Sequence, residues 1–252
     1  MAADGNPTPP GPGLLVSVRN LAEARLVADC PLTVIDLKEP AAGPLGAANP
    51  QLARRIGESL PGTPLLSLAM GELSRVGGGP FPWLAGYSWA KAGLSAMADR
   101  RDWQSTWRRW AGLVRDQGCQ PVAVAYADPQ TCTAPPLEEV AALALSEGVP
   151  WMLVDTWTKD GRTLLNRLAV DEIQSLAGYL HSGGTRLAVA GSLGLPEIRK
   201  LIPTRVDMIG VRGSVCQSGD RGARLDRQRV DALLQSLAVA IVPSGTAASV
   251  TT

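Results

Sequence analysis

Eight short apolar segments recur about every 30 residues, each followed by a helix-forming stretch or its remnant, and several end in charged residues; this pattern predicts an α/β chain closed as a (β/α)8 barrel. A length of 252 residues suits one such domain. The rival is an open doubly wound sheet, but no Gly-x-Gly-x-x-Gly follows the first segment, and eight units favour closure.

Residues 1–12 hold four prolines among small and polar residues and are expected to be a flexible tail, with the barrel over 13–239 and a second tail over 240–252. Residues 14–18 form the first strand, and Asn20 caps a helix to about residue 28, with Glu23 completing a capping box. The second strand covers 33–38. After a Gly/Pro/Ala loop, Asn49 and Pro50 start a helix that runs to Ser59. The third strand is 64–70. Three consecutive glycines and two prolines in 71–86 leave little room for a helix, so a shortened third crossover is expected. The fourth strand is 87–91. Asp102 then opens a helix whose Trp103, Trp107 and Trp110 recur at helical spacing, which points to core packing rather than a ligand platform. Strands at 122–126, 151–155, 187–190 and 208–212 alternate with helices at 135–146, 170–181, 196–201 and 226–239.

A formal net charge of +1 and 45% hydrophobic content indicate neither a nucleic-acid footprint nor a disordered chain. No signal peptide and no membrane-length apolar run stand out. Cys30, Cys119, Cys132 and Cys216 are scattered and His181 is the single histidine. That argues against a zinc site or disulfide framework and fits a reducing cytoplasm. No cofactor is implied, and a homo-oligomer is left open.

The chemistry gathers at strand ends, where such a barrel carries its active site. In Val34-Ile-Asp-Leu-Lys-Glu-Pro40, Asp36 and Lys38 lie two apart and share one face of a strand. Lysine is scarce, four against twenty arginines, and a desolvated lysine can act as a free amine where arginine stays charged. Lys91, Asp128, Asp155 and Lys159 also fall at or just after strand ends. Any one of them alone reads as a solvated rim charge; together they can share proton transfer. Gly191-Ser192-Leu193 and the stretch from Gly210 through Arg212 and Gly213 to Ser214 end strands seven and eight, the usual phosphate site of the fold, where Arg212 could add charge. Gly219-Asp220-Arg221 is either a loop closing over ligand or a surface ion pair. An amine nucleophile, further amines and carboxylates, and a phosphate cradle without metal describe imine chemistry on a phosphorylated aldehyde or ketose.

The motifs Asp36-Leu-Lys38-Glu-Pro, Gly43-Pro-Leu-Gly-Ala47, Tyr126-Ala-Asp128, Val154-Asp-Thr156, Lys159-Asp-Gly161-Arg-Thr-Leu164, Ala190-Gly-Ser-Leu193 and Gly210-Val-Arg-Gly213 stand together in one chain. In that combination the chain resembles the (5-formylfuran-3-yl)methyl phosphate synthases of methanofuran biosynthesis, from about residue 14 to residue 237. The resemblance implies a TIM-barrel lyase that condenses two molecules of glyceraldehyde 3-phosphate and expels phosphate and water. It implies Lys38 as the Schiff-base lysine, Asp36 as its neighbouring acid, and Lys91, Asp155 and Lys159 at the family's remaining chemical positions. Departures are a segment 71–86 shorter than the family's, a different loop after Asp128, and Gln217-Ser218 in place of a glycine-rich approach to Gly219. The readings kept beside it are another class I aldolase acting on phosphosugars and a barrel that binds phosphometabolites without turnover.

Overall fold

A computed structural model describes residues 11–60 and 64–241. Strands β1 (Gly13–Val18), β2 (Val34–Leu37), β3 (Leu65–Glu72), β4 (Trp89–Gly93), β5 (Gln120–Tyr126), β6 (Trp151–Asp155), β7 (Arg186–Val189) and β8 (Met208–Val211) are parallel and close in sequence order, β8 pairing with β1. Helices α1 (Leu21–Leu26), α2 (Pro50–Ser59), α3 (Trp103–Arg115), α4 (Leu137–Ser146), α5 (Val170–Ser182), α6 (Leu195–Leu201) and α7 (Arg227–Ile241) follow every strand except β3. The architecture is a TIM barrel.

Alternation along each strand sorts the core into two shells. Leu15, Val34, Val122, Val124, Leu153 and Met208 fill the barrel interior. The opposite faces pack against the helices, where Trp103, Trp107 and Trp110 of α3 are buried, the last two edge to face at 5.9 Å. Residues two and four positions beyond that interior plug on the same faces therefore project into the C-terminal mouth. Asp36 and Lys38 follow Val34 in this way, Lys91 follows Trp89, and Asp155 follows Leu153.

Capping explains the helix starts. Asn49 accepts from the N–H groups of Gln51 and Leu52 at 2.9 and 3.3 Å, with Pro50 in the first turn of α2. The capping box at α1 is half met. Asn20 accepts from Glu23 N–H at 2.9 Å, but the Glu23 carboxylate takes the N–H of Arg19 at 2.8 Å and turns inward to Arg212.

After β3 the chain makes only two short 3₁₀ turns, Leu73–Arg75 and Pro82–Leu84. Phe81 and Leu84 are buried there in place of a helix. The fourth strand starts two residues later than expected, because the Tyr87 N–H donates back to Leu84 O at 3.0 Å and so closes the preceding turn instead of joining the ladder. Of the expected tails, 1–10 and 242–252 lie outside the described residues, Pro12 is buried, and α7 continues to Ile241. Among the described residues no helix is long and apolar enough to cross a membrane.

Candidate active site

Two charged clusters and one unpartnered amine occupy the mouth. In the first cluster Asp36 accepts from Ser17 Oγ of β1 at 3.1 Å and from Ser67 Oγ of β3 at 2.6 Å, and pairs with Lys91 Nζ of β4 at 2.6 Å. Asp36 and Lys91 are almost wholly buried, so the pair balances itself inside the barrel. In the second cluster Lys159 Nζ lies 2.9 Å from Asp155 Oδ1 and donates to Thr156 Oγ1, also at 2.9 Å. Burial opposes the Asp155 charge. The Lys159 and Lys38 amines and the Thr156 N–H outweigh it and hold the carboxyl below the usual range.

Lys38 faces both clusters. Among the described residues its amine has no hydrogen-bond or ion-pair partner, and desolvation brings its pKa down to about 8 against the opposing pull of Asp155 and Asp36. The neighbouring Lys159 and Lys91 charges push the same way as desolvation. A free amine at neutral pH is what imine formation needs.

A cavity of about 450 Å3 opens beside the Asp155–Lys159 cluster. Asp155 and Lys159 line one side, and Gly191, Ser192, Gly213 and Ser214 line the other. The backbone N–H groups of those last four residues have no partner among the described residues, and the buried Ser214 Oγ is likewise unpaired. Gly191 is needed as glycine. It sits at φ +121°, and a Cβ would press to within 2.8 Å of the Thr156 side chain that supports Lys159. Unpaired donors converging on a cavity form a cradle for an anion.

Arg212, expected from sequence to add charge there, lines the cavity, but its guanidinium N–H groups are engaged by protein acceptors. Its Nε donates to Arg221 O, its Nη1 to Ser17 O and Glu23, and its Nη2 to Glu23 and Ala223 O. All five N–H bonds of the guanidinium are thereby used. Arg221 faces the cavity along with Lys159, anchored through Nη2 on Pro40 O and Gly43 O at 3.1 and 3.0 Å, with Nε and Nη1 left over. Asp220 also lines the cavity and is exposed, accepting from Gly222 N–H at 2.9 Å. Asp128 stands apart from the cavity. Its carboxylate takes the N–H groups of Trp157 and Thr158 at 2.6 and 3.0 Å, which ties the loop after β6 to the end of β5. Sequence reasoning passed over Ser17 and Ser67, common residue types whose only signal was their position on strands.

A TIM barrel with lysines, aspartates and unpaired N–H donors at its C-terminal mouth has the layout of an enzyme of that fold. The 4-HFC-P synthase family model matches residues 14–234, and the chain belongs to that family of synthases. Among curated relatives, the (5-formylfuran-3-yl)methyl phosphate synthase of Methanocaldococcus jannaschii is 30% identical over 232 residues, covering 87% of this chain and 97% of the relative. That of Methanothermobacter thermautotrophicus is 29% identical over 231 residues, covering 89% and 98%. Solved structures share the fold at low identity. The 3-keto-L-gulonate-6-phosphate decarboxylase of Vibrio cholerae superposes with a TM-score of 0.58 at 14% identity, covering 91% of this chain and 98% of the other. The phosphoribosyl anthranilate isomerase of Thermotoga maritima gives 0.60 at 13%, covering 90% and 99%.

Proposed function

We propose that the chain is a lyase that condenses two molecules of glyceraldehyde 3-phosphate, through a Schiff base on Lys38, to (5-formylfuran-3-yl)methyl phosphate with release of phosphate and water, a step of methanofuran biosynthesis. The observation that carries this reading is the Lys38 amine, desolvated, unpartnered and set between two lysine–aspartate clusters.

The neutral amine attacks the aldehyde carbon, and loss of water leaves an iminium ion. The positive nitrogen acidifies the neighbouring C–H, and Asp155 with Lys159, at the cavity wall, takes up that proton. The resulting enamine expels its own phosphate from C3 and becomes an unsaturated iminium, and C2 of the second molecule, having given up its proton, adds to that C3. The C2 oxygen of the first molecule then closes on the aldehyde carbon of the second, two waters leave to make the ring unsaturated, and hydrolysis of the imine frees Lys38 with the formyl group in place. Asp36 and Lys91 lie beneath and set the field at the amine, Asp36 favouring its charged form and Lys91 its neutral form. The N–H groups of Gly191, Ser192, Gly213 and Ser214 hold a phosphate, with Arg221 in the place expected for Arg212. A cavity of about 450 Å3 lies within the range of small-molecule sites.

The test is to incubate the purified protein with glyceraldehyde 3-phosphate while recording ultraviolet absorbance and released phosphate, then to add borohydride and map the adduct. A furan-aldehyde band, phosphate release and an adduct on Lys38, all absent in Lys38→Arg, are expected. Phosphate-free, silent spectra would overturn the reading, and an adduct without the conjugated band would turn it into an ordinary class I aldolase.

A further inference from the structure

One carboxyl at the mouth has no task in the chemistry above. Strands β3 and β4 pair with a slip: Ala69 faces Lys91, and Glu72, three residues on, faces Gly93, only two residues on. The extra residue makes a bulge, and Gly71 at φ +86° provides the left-handed backbone within it. Strict alternation from Ser67 and Ala69 would send residue 71 inward and residue 72 toward the helices. The bulge reverses this, so Glu72 comes opposite Gly93 on the face that Lys91 also uses. Gly93 leaves empty the space the carboxyl needs, since a Cβ there would overlap both Glu72 oxygens and the Tyr126 hydroxyl.

Two neutral donors hold the group. Tyr126 Oη donates to Glu72 Oε1 at 2.7 Å, and Ser95 N–H donates to Oε2 at 2.9 Å. Tyr126 is the Cα partner of Asp155 in the β5–β6 ladder. The pair thus stands on the β3–β5 side of the mouth, across from the cradle on β7 and β8. Buried carboxylates elsewhere in the chain are matched by a cation, Asp36 by Lys91 and Glu23 by Arg212. Glu72 is not. Burial pushes its carboxyl above the usual range; the Tyr126 and Ser95 hydrogen bonds and the more distant Arg75 pull it down, and Asp155 pushes it up. The Cys132 thiol and the Tyr126 hydroxyl are the other titratable groups near it, and both stay protonated, their pKa values raised first by burial. Bulges that re-aim a side chain concentrate next to active sites.

Resting on the condensation proposed above, we propose that Glu72 is a further proton-transfer residue of that reaction, serving the dehydration that makes the ring unsaturated, with Tyr126 as its positioning residue. The Glu72 carboxylate takes the proton of the carbon adjacent to the bond that breaks, and the electron pair of that carbon–hydrogen bond becomes the new double bond. The acid so formed gives the proton to the departing substrate hydroxyl, which leaves as water, and the carboxylate is restored.

The test compares the parent protein with Glu72→Gln and Tyr126→Phe on glyceraldehyde 3-phosphate, reading the borohydride adduct on Lys38, the furan band and the pH dependence of kcat. Glu72→Gln should keep the adduct but make the furan about 10²–10⁴-fold more slowly. Tyr126→Phe removes a donor to the ionised carboxyl, so the limb of the pH–rate profile that belongs to Glu72 should move to higher pH. Parental kcat in Glu72→Gln, or a limb unmoved in Tyr126→Phe, would overturn the role of Glu72 while leaving the condensation standing. Should Glu72→Gln lose its folded circular dichroism, the Tyr126→Phe profile decides alone. A parent protein that forms neither adduct nor furan overturns the condensation, and this role with it.

Discussion

Lys38 differs from Lys91 and Lys159 in having no partner among the described residues, and that difference sets its reactivity. With a pKa of about 8, roughly one amine in ten is neutral at pH 7, against fewer than one in a thousand for an ordinary lysine. Because the neutral form attacks, adduct formation should rise with pH up to about 8 and then level off. Initial rates of borohydride trapping across neutral and mildly alkaline pH check this. A rise that continues to the ordinary lysine range would place the nucleophile elsewhere. Arg221 and Arg212 separate in the same way, by what their N–H groups touch. Arg221→Gln should raise KM for glyceraldehyde 3-phosphate by about tenfold to a hundredfold, the worth of a charged hydrogen bond, and also lower thermal stability, because Pro40 O and Gly43 O lose the donor they share.

At the scale of the element, the loop after β6 carries Lys159, and its shape is imposed from β5. Asp128 grips the Trp157 and Thr158 N–H groups, Trp157 packs edge to face on Tyr126 at 5.4 Å, and Arg167 lies 3.7 Å from Asp128 and 3.3 Å from Asp160. In Asp128→Asn one oxygen becomes an NH2 that cannot accept, so one N–H loses its partner, at about 1–3 kcal/mol. The Lys159–Asp155 contact should loosen with the loop. A fall in kcat of about ten- to a hundredfold with KM little changed is expected, read from steady-state kinetics beside thermal unfolding. A change in stability with intact kcat would mean that Asp128 serves the fold alone.

At the scale of the whole molecule, closure depends on the seam between β8 and β1. Arg212 at the end of β8 holds Ser17 O of β1 and Glu23 of α1, while Arg221 reaches the loop after β2 and Arg19 donates to Gly222 O. Burial opposes the Glu23 charge, yet Arg212 and the N–H groups of Arg19 and Leu225 hold its carboxyl below the ordinary value of 4.5. A lowered carboxyl pKa contributes stability that is present above the unfolded value and lost as pH falls through the folded one. Acid should therefore weaken the seam below about pH 4.5. Arg212→Met, which strands the buried Glu23 carboxylate, should cost about 3–5 kcal/mol at neutral pH by denaturant unfolding, and less in acid as Glu23 becomes protonated. An equal loss at both pH values would remove the ion pair from the account of closure.

Local pattern made much of this legible in the sequence. The number of strands, their order, the missing third helix and the placing of Asp36, Lys38, Lys91 and Asp155 at the mouth follow from period-two alternation and from glycine and proline in 71–86, which act through neighbours in the chain. The unpartnered state of Lys38, the internal use of Arg212, the grip of Asp128 on a loop and the inward turn of Glu72 were decided only by tertiary structure. Each depends on groups far apart in sequence, such as Glu23 with Arg212 and Glu72 with Tyr126, or on a bulge that shifts the alternation by one residue. Whether a charged side chain serves the fold or the ligand is set by which hydrogen-bonding groups meet it, and those meet only once the barrel has closed.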